Sequence, residues 1–180
     1  MAAVSTTWVN PAGAVLDKST GAVIDETMTD AWSSDLYHLG GTAGYIAGRA
    51  HNASTQSIAD SSSTALALGA EDNDADPNGL MHDNVTNNSR ITARTAGYYH
   101  IGAWVQFATN STGYRHVTLR LNGATALAQD IRAAVSGTNT ECSLYIAYPL
   151  AVSDYLEVVV IQNSGGALNM TAAHLSVCKA

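Results

Sequence analysis

The chain has 180 residues, 46% hydrophobic, 13% charged and 7% aromatic, a size and balance that fit one globular domain with a short appendage. A chain this long buries enough surface to fold without disulfides or metal, and 15 Gly with 3 Pro are too few for collagen or Pro-Gly-rich disorder. A net charge of −7 with scattered arginines excludes a basic nucleic-acid-binding face, and no apolar run reaches the ~18 residues that a membrane helix needs.

Residues 1–50 read as a leader. Its opening, MAAVSTTWVNPAG, has neither the basic residues nor the apolar stretch of a secretory signal. Lys18-Ser19-Thr20-Gly21 is a turn signal, so residues 14–16 and 22–24 predict a small hairpin. Asp25 suits a helix N-cap, with Glu26 favourable in the first turn. Met28, Trp32, Leu36 and Leu39 follow at spacings that give one apolar stripe, and Gly40-Gly41 ends the helix. A helix of ~15 residues with one stripe is marginal alone in water. The leader is therefore expected to dock on a larger assembly, with Trp8, Met28, Trp32 and Leu36 as its anchor. The glycine-rich segment 40–44 would act as a hinge.

Residues 51–180 read as one β domain. Strands are predicted over 57–59, 65–68, 90–94, 97–107, 114–121, 125–132, 141–150, 155–161 and 169–178. The clearest is 97–107. There Tyr99, Ile101, Ala103, Val105 and Phe107 alternate with Tyr98, His100, Trp104 and Gln106, and alternation places the two sets on opposite faces. Asn122-Gly123 is a strong hairpin turn. Tyr155 to Ile161 is nearly all apolar, which predicts burial of both faces. Short strands with turn punctuation indicate a sandwich or jelly roll. The strand at 97–107 carries large side chains on both faces, while a sandwich core needs only one. A neighbouring subunit is the expected cover for the other.

Several segments together carry a resemblance. Asp83, then Asn88-Ser89-Arg90-Ile91, then Ala96-Gly97-Tyr98-Tyr99-His100-Ile101, resembles the complement globular-head branch of the tumour-necrosis-factor jelly rolls. Tyr99 falls on that family's tyrosine, and Ile101 on a position that usually holds phenylalanine. Val117 to Gly123 is similar to the family's strand and Asn-containing turn. Leu144 to Leu150 with Ser153 to Val158 is similar to its leucine strand, Gly-Asp turn and valine strand, with Ser153 in place of the turn glycine. The last strand, Ala172 to Val177, lacks the Phe-Ser-Gly signature. The resemblance covers about residues 55–178 and implies an all-β, ten-stranded jelly roll that assembles as a homotrimer. On that reading Tyr99, Ile101, Val105 and Phe107 fill the subunit core, while Tyr98, Trp104 and Tyr155 line the three-fold contact. The whole chain is also similar in layout to appendage proteins of tailed bacteriophages, which join a short N-terminal segment to a trimeric β head.

Candidate chemistry is sparse. Asp72, Asp74 and Asp76 have the alternate spacing of calcium-binding loops, but Pro77 stands where such a loop needs glycine. A solvated acidic loop is the plainer expectation for Glu71 to Gly79. The six histidines form no HxH or HExxH pair, and His82-Asp83 reads as a loop contact. No Gly-x-Ser-x-Gly elbow, P-loop or dinucleotide fingerprint occurs. Five Asn-x-Ser/Thr sequons need no glycan to explain them in an Asn- and Thr-rich chain. Cys142 and Cys178 are expected as two buried thiols, with a bridge between them as the alternative. The expectation is a protein with no enzymatic activity and no cofactor or metal. It would be a trimeric fibre-tip or capsid decoration protein at the virion surface, assembled in the host cytoplasm. Its partners would be other copies of itself, a capsid or tail protein and a host-surface glycan or protein. The alternative is a soluble bacterial carbohydrate-binding or matrix protein of the same fold.

Overall fold

The computed structural model describes residues 45–180, together with two short strands nearer the N-terminus. The chain divides into two units, Met1–Gly44 and Tyr45–Ala180. In the first, β1 (Trp8–Val9) pairs antiparallel with β2 (Val15–Leu16), Trp8 opposite Leu16. Residues 15–16 do form a strand, paired with 8–9, and the turn formers Pro11 and Gly13 lie between the two strands in sequence. The second arm of the expected hairpin, 22–24, lies outside the described residues. The helix expected over 25–39, with Met28, Trp32 and Leu36, lies outside the described residues, and so does the Trp8 side chain.

The second unit contains β3 (Ala47–His51), β4 (Gln56–Ile58), β5 (Thr64–Ala65), β6 (Ala70–Ala75), β7 (Arg90–Thr92) and β8 (Gly97–Phe107). It continues with β9 (Tyr114–Leu121), β10 (Thr125–Ala133), β11 (Thr140–Leu150), β12 (Tyr155–Gln162) and β13 (Leu168–Lys179). One sheet runs β11-β8-β13-β3-β6 with β4 also on β13, and the other runs β10-β9-β12-β5 with β7 also on β12. Every pairing is antiparallel. There are eleven strands in this unit, one more than the ten expected, and no helix among the described residues. Alternation did not reveal β3 or β6. In β3 the inward positions Gly48 and Ala50 are too small to mark a face, so the sequence boundary near residue 50 fell inside a strand. β6 is acidic, which an edge strand tolerates because its outer side meets water.

Elsewhere the period-two pattern became the core. Tyr99, Ile101, Val105 and Phe107 of β8 are fully buried and face Val117 and Leu119 of β9 and Leu156, Val158 and Val160 of β12 in one cluster. Val159 and Glu157, on the other face of β12, are also buried, as the near-continuous apolar run predicted. The Asn122-Gly123 turn has φ of 52° and 72°, the left-handed pair of a type I′ hairpin turn. Ser153, standing for the expected turn glycine, carries φ of 73°, a conformation that glycine adopts at lower cost. Asn122 clamps the two turns together. Its side-chain amide donates to Asp154 Oδ1 at 2.8 Å and its oxygen accepts from Tyr155 N at 2.9 Å.

Arg115 was not foreseen in the core. It shares the inward face of β9 with Val117 and Leu119 and is fully buried. Its guanidinium donates to the carbonyls of Thr112, Tyr114 and Asn110 at 3.0–3.1 Å and lies over the Phe107 ring. These carbonyls replace part of the water it loses, while Nε has no partner among the described residues. Burial lowers its pKa from the ordinary value.

Candidate functional site

The alternation that buries Tyr99 and Ile101 turns Tyr98, His100, Gly102 and Trp104 outward. They lie on the outer face of the six-stranded sheet. Tyr98 is 64% exposed, and Tyr145, from β11 on the same face, is 70% exposed. His100 and Tyr145 stack with ring centroids 5.9 Å apart, joined by a hydrogen bond between phenol and imidazole. Trp104 stacks on His174 of β13 at 5.7 Å. Gly102 lies between His100 and Trp104 along β8 and pairs with Ser176 of β13. Two aromatic ridges therefore flank a floor of small residues.

Beside the Trp104 ridge, Asp72 of β6 accepts from Arg49 Nε at 3.2 Å and lies 3.6 Å from His51 Nδ1. A hollow of about 550 Å³ lies here, lined by Arg49, His51, Asp72, Trp104 and His174 among others. Burial lowers the His174 pKa, and the charge of Arg49 adds to the effect. The sheet thus offers an exposed face rich in tyrosine, tryptophan, histidine and arginine, side chains that favour association surfaces. Tyr98 and Trp104 lie on it, on the outward side that alternation assigned them. Tyr155 is not. It lies on the outer face of the other sheet, under the Arg90 guanidinium at 4.1 Å, because Leu156 next to it points into the core.

The acidic stretch is corrected in two respects. Residues 70–75 form a strand rather than a loop, and each aspartate already has protein partners. Asp72 holds Arg49. Asp74 accepts from Met81 N and His82 N, both at 3.0 Å. Asp76 accepts from Asn78 N at 2.9 Å and Thr95 Oγ1 at 3.1 Å. Among the described residues no group of three or more His, Cys, Asp or Glu side chains is placed to hold a metal ion.

His82 is the functional-looking residue whose role the sequence hid. It is buried, with Nδ1 2.7 Å from the Arg90 carbonyl and Nε2 2.7 Å from the Leu68 carbonyl. It ties its own loop to Leu68 and to Arg90 of β7. Beside it, Asp83 accepts from Val85 N and Thr86 N at 2.8 Å, and these bonds hold its carboxyl below the usual pKa. Cys142 and Cys178 are both free, so the bridge is excluded. Cys142 is buried as expected, but Cys178 is only half-buried, because its position on β13 faces outward beside His100.

This two-sheet arrangement is a tumour-necrosis-factor-like jelly roll. Its similarity to solved structures is of fold alone. Murine APRIL matches with a TM-score of 0.58 at 16% identity, over 76% of this chain and 99% of that one. An Eiger tumour-necrosis-factor protein from S. frugiperda matches with 0.58 at 13% identity, over 76% and 93%. The globular domain of a zebrafish complement 1qA protein matches with 0.52 at 12% identity, over 73% and 94%. No family model and no curated protein matches the sequence.

Proposed function

We propose that the protein is a non-enzymatic homotrimer that joins a surface-exposed jelly-roll head to a docking leader, as a fibre-tip or capsid decoration subunit of a virion. The observation that carries the trimer is the exposed face around Tyr98, Trp104 and Tyr145. A jelly roll already has one core, and this second aromatic surface is best covered by copies of itself. The homotrimer implied by the family resemblance supports the same reading. Three-fold assembly multiplies weak contacts made by the outer loops, since the second and third contacts form at high effective concentration. The virion role draws no support from the animal proteins of similar fold. It rests on the leader-plus-head layout, the small neutral polar composition and the anchor residues Trp8, Met28, Trp32 and Leu36.

Sedimentation velocity of the full chain at micromolar concentration tests the assembly. The expected species is a trimer, and Trp104→Asp is expected to give monomers that keep the β-sheet circular dichroism spectrum. A well-behaved wild-type monomer, or an unaltered trimer from the variant, overturns it. Mass spectrometry of purified particles tests the location, and deletion of residues 1–45 should abolish particle attachment. A fibre tip, unlike a decoration protein, should block host adsorption when added as free head.

A further inference from the structure

The loops between β6 and β8, together with β12, enclose a cleft of about 520 Å³, within the size range of small-ligand sites. We propose that this cleft binds a neutral saccharide. The proposal rests on the reading that the outer loops contact an outside surface, but it uses none of the trimer face, which belongs to the other sheet.

About half of the lining is made of groups that donate and accept. Asn78, Thr86, Asn87 and Thr92 contribute amides and hydroxyls, and Arg94 contributes a guanidinium. Arg94 donates through Nε to the Leu80 carbonyl at 2.6 Å. Its two terminal nitrogens have no hydrogen-bond partner among the described residues. A sugar, whose hydroxyls each donate and accept, matches such a wall.

Charge argues against an anion. Glu157 takes Arg90 at 3.0 Å, Asp83 offsets Arg94 within the lining, and the chain as a whole carries −7. The lining is about equally polar and apolar, which suits a ligand that carries both kinds of surface. Met81 is buried, which leaves Leu80, 66% exposed, as the aliphatic surface on offer. One exposed leucine suits the C–H face of a sugar ring.

The site is also formed in advance. Asp74 fixes the backbone at Met81 and His82, the His82 ring ties that loop to Leu68 and Arg90, and the Asn78 amide donates to Thr95 Oγ1 at 2.7 Å. A ligand would then lose little free energy to ordering the loops.

Saturation-transfer NMR and calorimetry on the full chain test the proposal. The probes are the methyl glycosides of glucose, galactose, mannose and N-acetylglucosamine, with glucuronate and inorganic phosphate as charged controls. The expected result is saturable millimolar binding of at least one neutral glycoside, with neither charged probe binding more tightly. Arg94→Ala should weaken it about tenfold, the equivalent of one good hydrogen bond, and Asn78→Ala, which also removes the bond to Thr95, should weaken it at least as much. Both side chains are exposed, so both variants are expected to fold. The proposal is overturned if all four glycosides fail to saturate, if a charged probe binds more tightly, or if Arg94→Ala binds like wild type. Sedimentation of the same samples reports assembly separately, so either reading can fail alone.

Discussion

Cys142 offers a quantitative test of how dry the sandwich interior is. Its thiol is buried opposite Val105 of β8. Burial pushes it from the ordinary 9.0 up to about 12, with the nearby Asp130 carboxylate adding to the shift. A group whose folded pKa lies above its unfolded one contributes fully below the unfolded value. Between the two values the unfolded chain ionises first, so stability falls as pH rises. The window runs from about pH 9 to about pH 12. A shift of about three units sets a ceiling of about 4 kcal/mol, and at about pH 10.5, midway, the loss is about 2 kcal/mol. Tyr99 acts in the same direction, since burial and the charge of Asp76 raise its pKa too. Wild type alone therefore cannot isolate the thiol. Urea unfolding of wild type and Cys142→Ala, each at about pH 8 and about pH 10.5 under reducing conditions, isolates it. The variant carries a constant cost for the lost sulfur, but should lose about 2 kcal/mol less than wild type between the two pH values. An identical loss in both proteins would refute a dry environment for Cys142.

Three further outcomes follow from single contacts. His82→Ala should cost about 2–3 kcal/mol in urea unfolding, because the buried ring is lost from between the Leu68 and Arg90 carbonyls together with the N–H it donates there; a cost below about 1 kcal/mol would show that water replaces the ring. His174→Gln should flatten the acid limb of stability. Burial depresses the His174 pKa, so its contribution is present above the unfolded value near 6.5 and fades as pH falls below it; melting curves at falling pH that match wild type would contradict this. Gly113→Ala should cost about 2–4 kcal/mol, because Gly113 has φ of 73° and an added Cβ would run into the Asn163 carbonyl; thermal melting within a degree of wild type would rule out that turn geometry.

Much of the β domain was legible because alternation is a local property. In β8 a buried face and an outward face can be separated from eleven residues alone, and the Asn122-Gly123 turn specifies its own left-handed geometry. The same rule placed Tyr98 and Trp104 outward, and so found part of the aromatic face. It could not find His174 or Tyr145 beside them, because those neighbours are set by the pairing of β13 and β11 with β8, contacts made across long stretches of sequence. β3 was missed because glycine and alanine carry no hydrophobic signal, and β6 because its acidic residues look like a loop until the sheet edge is known.

The tertiary structure alone decided which polar residues are structural. In sequence, Asp72, Asp74 and Asp76 are an evenly spaced acidic set that could suit a cation. In space each faces a different protein partner, and among the described residues they form no group placed to hold a metal ion. His82 and Arg115 look like ordinary surface residues in sequence, yet one ties its loop to Leu68 and Arg90 and the other fills the core, each held against carbonyls that only the folded chain brings within reach. Sequence by itself determined the class of fold and the direction in which the side chains of strongly alternating strands such as β8 point, because these depend on the backbone period. Which of those side chains meet, and whether a charge finds a partner or water, depended on long-range pairing, because hydrogen bonds and desolvation are properties of neighbours in space.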